Sequence, residues 1–486
     1  MIMRIFLTSM ILLAALNART QGYKITAQYT FQPNSSLFLG YYFGDKKFLQ
    51  DSASIMPDGK AVFKGDRRLA SGLYIIVDPE KQRFFDLVIS KDQEFELKID
   101  TSFTLTSING SEENMQLEAY KKKVNSLYKD YPQWQKALSE SKTEKDSAAV
   151  KRKIIGADSA ASLWRDSFII QNPDSYVSLL FRLMREPSYN LKGITTKADS
   201  IAAYQQYKND YWKGIPINDP QVLRTPIFES RVTKYLEQVV TRHPDSLKAE
   251  IDKFILYSRA DTLMFKYYIN RFTNEYMNSK FMGLDVVFLH LFEKYYQTNQ
   301  VTWLDAKDKE LVYNRAYNLM GNIVGQPAAD LVLLDTLDRP QNLYSIKAPY
   351  TLVVFWDPDC GHCREQVPKI DSLYHQDWKN IGMKLVGVLV DTLRTSNSNW
   401  PAVRKKWTEY IRDHKLNSWN HWYQSFEMRE LERQKNVPNF RQNYDVYSTP
   451  TIYLLDEDKR IVAKKISPEQ IHDFIMFQKN QSSSKP

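Results

Sequence analysis

Cysteine is almost absent: the 486 residues contain two. A framework of structural disulfides is therefore excluded. A zinc knuckle does not fit either, because zinc takes four ligands from paired motifs. Beyond residues 5–16 no apolar run is long enough to cross a bilayer as a helix. No internal repeat and no low-complexity linker is present. Charge of one sign is not concentrated, since the net +9 is spread over 66 basic and 57 acidic residues. Lys121-Lys122-Lys123 and Arg404-Lys405-Lys406 stand at helical spacing among Tyr and Trp and read as solvated faces, so nucleic acid is not an expected partner. His243 and His290 are isolated and read as structural or surface residues. No metal and no cofactor is expected.

The two cysteines lie together, in Phe355-Trp356-Asp357-Pro358-Asp359-Cys360-Gly361-His362-Cys363, behind the apolar run 351–355. The pattern predicts a buried strand, a tight turn, and a helix whose first turn carries both thiols. Residues i and i+3 share a helix face, so the two sulfurs can close a small ring with little backbone change. A helix N-terminus offers unsatisfied N–H groups and the positive end of the dipole, and both favour a thiolate, the attacking species. Cys360, at the exposed start, is the expected nucleophile. Cys363, one turn in, is the expected resolving thiol, and His362 between them is expected to support the Cys360 thiolate. An inert cystine is the plainer alternative.

The segment resembles the thioredoxin superfamily, and specifically the exported TlpA/ResA-type thioredoxin-like proteins. Phe355 and Trp356 at the strand end carry the likeness, with Cys360 and Cys363, Pro368 five residues further on, and Ser448-Thr449-Pro450-Thr451 before an apolar run at 452–455. The resemblance implies a cis Thr449-Pro450 bond facing the cysteine pair, and a backbone edge at Thr449 against which a substrate strand lies. Three positions depart from it. Asp359 stands where many relatives have Trp, and Val354 stands where thioredoxin has a buried Asp that assists proton transfer. The Gly361-His362 pair resembles protein disulfide isomerase rather than thioredoxin.

Along the chain, Arg4, the apolar run 5–16 and the small and polar residues 17–22 are predicted to form a signal peptide over 1–22, cleaved near 18–22. No cysteine follows the run, so no lipid attachment is expected. The mature protein is expected in the periplasm, an oxidising compartment, with no transmembrane segment. Residues 23–108 alternate at strand period: Phe95, Leu97 and Ile99 oppose Glu94, Glu96 and Lys98, and further strands are predicted at 36–43, 47–55, 61–64, 73–77 and 84–89. The expectation is an antiparallel β-sandwich, similar to the β-rich domain ahead of many exported thioredoxin-like proteins through Leu39-Gly40-Tyr41-Tyr42 and Phe63-Lys64-Gly65. Residues 109–322 take helical period, as in Leu117, Tyr120, Val124, Leu127 and Tyr131, and predict an all-α middle domain. Asn172-Pro173-Asp174-Ser175 and His243-Pro244-Asp245-Ser246 read as helix starts. Residues 325–480 alternate strand and helix and predict an α/β thioredoxin fold, with a long insertion at 391–444 that holds a helix at 403–413 and the aromatics Trp419, Trp422 and Tyr423. Residues 481–486 are predicted to be a disordered tail.

These readings together predict an exported thiol–disulfide oxidoreductase acting on protein disulfides. Cys360 and Cys363 are its catalytic pair, His362 and Trp356 support it, and Thr449 and Pro450 bind substrate. Its expected partners are client proteins with cysteines or disulfides and a membrane or periplasmic thiol electron donor. Two alternatives stand beside it. A thiol peroxidase of the peroxiredoxin kind would need Pro and Thr or Ser where Val353 and Asp357 are found. A partner- or ligand-binding protein would leave the thiols incidental.

Overall fold

The structure, a computed structural model, describes residues 22–29, 31–188, 193–279, 281–391 and 399–483. The predicted signal peptide, apart from Gly22, and residues 484–486 of the predicted tail lie outside these. The chain forms two compact units. One runs to Thr241 and takes in Leu256–Met264; the other holds Arg242–Ile255 and continues from Phe265. The helical span is thus shared between the units.

In the first unit, β1 (Tyr23–Gln28), β2 (Ser36–Phe43), β3 (Lys46–Ser54), β4 (Lys60–Gly65), β5 (Gly72–Val77), β6 (Phe84–Ile89), β7 (Glu94–Ile99) and β8 (Leu105–Asn109) build two four-stranded sheets, β4-β1-β7-β8 and β3-β2-β5-β6. Alternation drives the packing: in β7, Phe95, Leu97 and Ile99 are buried while Glu94, Glu96 and Lys98 are exposed. The inward residues of both sheets, among them Ile25, Phe63, Leu39 and Ile76, form one core. One pair in this otherwise antiparallel sandwich is parallel, β1 with β7, in the register Ile25↔Phe95. The helices α1 (Glu112–Leu127), α2 (Tyr131–Ser139), α3 (Glu144–Gln171), α4 (Tyr176–Met184), α5 (Lys197–Tyr211) and α6 (Pro226–Lys234) follow. The buried Asn114 side chain clamps α1 to β6, donating to the Val88 carbonyl (2.6 Å) and accepting from its N–H (2.7 Å). Ser175 caps α4, as its sequence suggested.

The second unit opens with most of α7 (Pro244–Ser258) and α8 (Thr262–Met277), then α9 (Asp285–Leu291) and α10 (Ala306–Met320). Its sheet has the order β10-β9-β13-β12-β11-β14-β15, with β9 (Val332–Asp335), β10 (Pro340–Asn342), β11 (Thr351–Trp356), β12 (Lys384–Leu389), β13 (Asn420–Tyr423), β14 (Thr451–Leu455) and β15 (Ile461–Lys464). Strand β11 is interior, between β12 and β14, and every residue in it is buried. Its even residues Leu352, Val354 and Trp356 pack on one face with α11 (Gly361–Leu373), α12 (Trp400–Asp413) and α15 (Pro468–Ser483). Its odd residues Val353 and Phe355 pack on the other with Phe440 and Tyr444. Helices α13 (Phe426–Gln434) and α14 (Phe440–Asn443) lead into β14.

Two sequence expectations change here. The insertion at 391–444 is built into the sheet: Trp422 and Tyr423 lie in β13, an interior strand that pairs parallel with β12 and antiparallel with β9, and Trp419 just precedes it. Its residues 392–398 lie outside the described ones. Helix α15 continues to Ser483, past the expected end at residue 480. No helix among the described residues is long and apolar enough to cross a membrane.

Candidate redox site

Sheet register assembles the site. Strand β11 pairs antiparallel with β14 as Phe355↔Thr451, so the chain just before β14 stands level with the turn that follows Trp356. That brings Ser448-Thr449-Pro450 against Cys360 across almost ninety residues of sequence. The Thr449-Pro450 bond is cis, and the Cys360 thiol donates to the Thr449 carbonyl at 3.2 Å.

The turn is set by Asp357. Its carboxylate accepts from the Asp359 N–H (2.8 Å) and its carbonyl from the Cys360 N–H (3.1 Å). Cys360 is then the N-cap of α11, in extended conformation (φ −75°, ψ 122°), and its sulfur accepts from the Cys363 N–H at 3.4 Å. A sulfur in the N-cap position takes the place of the usual Ser or Asp oxygen and meets helix N–H groups with no partner within the helix.

The two thiols are driven apart in acidity. Partial burial resists ionisation of Cys360. Against it, hydrogen bonds from the Thr449 and Cys363 side chains and from the Cys363 and His362 N–H groups prevail and hold the thiol below its ordinary value. Cys363 is wholly buried, and burial is the main cause that pushes its thiol up to about 12; the Asp357 N–H opposes this. One thiol is thus made easier to ionise and the other is kept protonated.

His362 is exposed, and it serves Cys360 through its backbone N–H. Trp356 is fully buried, its ring 5.2 Å from that of Tyr410 and 6.3 Å from that of His421. The sequence reading missed both neighbours. Val354, at the position where thioredoxin has its buried Asp, lies in the core with no polar group to offer. Tyr410, on α12, is half-buried, and burial, followed by the nearby Cys363, raises its phenol. Beyond Pro450 opens a cavity of about 360 Å³, lined by Gln366, Tyr447, Pro450, Ile452, Lys465 and Ile466 among others.

An interior, fully buried β11, a Cys-x-x-Cys helix start and a cis-proline edge facing it define a thioredoxin-like domain. Residues 324–464 match the AhpC/TSA family, and residues 23–117 match a domain of unknown function, DUF4369. Similar solved structures include a domain of a possible thiol-disulfide isomerase from Cytophaga hutchinsonii, 28% identical, covering 34% of this chain and 97% of that one, with a TM-score of 0.27. A thioredoxin-like protein from Bacteroides caccae is 18% identical over 60% of this chain and 98% of that one, with a TM-score of 0.45. A thiol:disulfide interchange protein from a Bacteroides species is 24% identical over 32% and 90%, with a TM-score of 0.26. No curated protein matches the chain.

Proposed function

We propose that the chain is an exported thiol–disulfide oxidoreductase that works through Cys360-Gly361-His362-Cys363. One observation carries the reading: a part-exposed, acidified Cys360 lies against a backbone edge, with a buried, protonated thiol three residues behind it. In the reducing direction the Cys360 thiolate attacks one sulfur of a client disulfide. The Cys360–client bond forms, the client S–S bond breaks, and the other client sulfur leaves as a thiolate. Cys363 then loses its proton and attacks the Cys360 sulfur, closing the internal disulfide and releasing the second client thiolate. The client gains two electrons, and an external thiol donor in the membrane or periplasm restores the pair. Oxidation or isomerisation of a client uses the same steps in other orders.

The client strand would lie along Thr449, with its flanking residues towards the cavity beyond Pro450. Gly361-His362 favours a potential towards the isomerase end of the scale, which runs from about −270 mV for thioredoxin to about −180 mV for protein disulfide isomerase, a gap of about 4 kcal/mol. Titration against glutathione fixes the direction. Trapping tests the chemistry: Cys363→Ala keeps the attack and removes the escape, so reducible adducts with client proteins accumulate on non-reducing gels, whereas Cys360→Ala gives none. Adducts in the second variant and not the first would reverse the assignment. None in either would favour a binding protein whose thiols are incidental.

A further inference from the structure

The residue just before the reactive sulfur carries a charge of the wrong sign. A carboxylate close to a thiol opposes its ionisation, and Asp359 immediately precedes Cys360 in the chain. Its compensation comes from far away in sequence. Lys406, on α12, pairs its Nζ with Asp359 Oδ1, and the two side chains are 58% and 41% exposed. One helical turn further along α12, on the same face, Tyr410 lays its ring against Trp356. The inserted helix therefore reaches the flank of the outer thiol with one residue and the surroundings of the inner thiol with another.

The charged and titratable groups around the pair come from four places. The turn before α11 supplies Asp357 and Asp359, and α11 itself supplies His362 and Arg364. Helix α12 supplies Lys406 and Tyr410. Beyond Pro450 the cavity wall supplies Asp445 and Lys465, which pair with each other. Within this set, Lys406 is the cation paired with Asp359.

We propose that Lys406 is a positioning residue of the redox pair: by holding and neutralising Asp359 it keeps an uncompensated carboxylate from facing the Cys360 thiolate, so that α12 sets the reactivity of the attacking sulfur. The proposal rests on Cys360 being the attacking thiol.

The test is a titration of the Cys360 thiolate by its ultraviolet absorbance in the full reduced chain, for the unaltered protein, Lys406→Met, Asp359→Asn and the double variant. Lys406→Met should raise the Cys360 pKa by up to about half a pH unit, the scale of an exposed, solvent-screened unit charge. In the Asp359→Asn background, where the lysine has no carboxylate to neutralise or to hold it at the turn, the same change should give a clearly smaller shift, and Lys406→Arg should restore the original value. Added salt should shrink the Lys406→Met shift. A lysine that merely packs α12 would give the same shift in both backgrounds, and that result, or no shift at all, overturns the proposal. If Lys406→Met does not fold, Lys406→Gln carries the same comparison. The client-trapping experiment is independent: coupled titrations with no trapped client would leave the tuning in place and remove the oxidoreductase reading.

Discussion

Cys360 and Cys363 are the same functional group three residues apart, and what separates them is access to N–H donors and to water. Cys360 keeps some exposure and collects helix N–H groups; Cys363 is enclosed and its thiol is pushed up to about 12. The division of labour proposed above needs this difference: an outer thiol that ionises more readily than the inner one. Another buried titratable group has a consequence for stability. His421 is buried, its Nε2 stands 2.9 Å from the Leu416 carbonyl, and burial lowers its pKa from 6.5 to about 4, with the Leu416 contact opposing. Because the folded pKa lies below the unfolded one, the unfolded chain takes up a proton that the folded state refuses as pH falls from 6.5 towards 4. Stability from this site is complete above pH 6.5 and falls by about 1.4 kcal/mol per pH unit below it, roughly 3 kcal/mol in all. Urea unfolding at a series of pH values should show this loss, and His421→Gln, whose amide can still donate to Leu416, should flatten it. An equally steep loss in that variant would assign the acid sensitivity to other groups.

Strand β13 holds that histidine, and it is the element the sequence concealed. Its four residues, Asn420-His421-Trp422-Tyr423, are too few to show a period, and the last three are buried as in an interior strand, so no polar alternation marks them. Strands such as β4 and β7 were legible because one face of each meets water, whereas β1 and β8 were not read from the sequence. The parallel pairing of β1 with β7 was not, since the pattern of a single strand says which face is buried and not which way its neighbour runs. The thiol pair was legible for the opposite reason: its chemistry is local, within one helical turn. Lys406 and Tyr410 were hidden because only the crossover from β12 to β13 brings α12 over the site. The same crossover forces a close approach at Gly387 of β12. A Cβ added there would meet His421 Nδ1 and Trp356 Nε1, each at 3.0 Å, and both rings are buried and hemmed in. Gly387→Ala should therefore cost about 1–3 kcal/mol by overpacking, read as a lower urea midpoint with unchanged slope. A loss under about 0.5 kcal/mol, the range of an ordinary surface change, would show that the two rings yield freely.

At the scale of the folded unit, the question is how helices α9 and α10 are held to the sheet that carries the redox turn. The answer is polar. Lys464, on β15 with a side chain 4% exposed, gives its ammonium to Asp285 at the start of α9 and to the Asn322 carbonyl (2.6 Å) and side-chain oxygen (2.7 Å) just past α10. Next to it, Asp445 is fully buried and takes both Arg315 from α10 and Lys465. Burial lowers the Lys464 pKa, while Asp285 works to raise it. The ammonium's donors find oxygens on two helix ends. Removing one partner of a buried pair strands the other, so Lys464→Met should destabilise by about 3–5 kcal/mol through the uncompensated Asp285. Replacing both with apolar residues, Asp285→Leu with Lys464→Met, removes the stranded charge and should recover most of that loss. Chemical denaturation of the single and double variants measures the coupling. If the double variant is no more stable than Lys464→Met alone, the cost lies in the Asn322 contacts and the helix ends, and the Asp285 pair is not what joins α9 to β15.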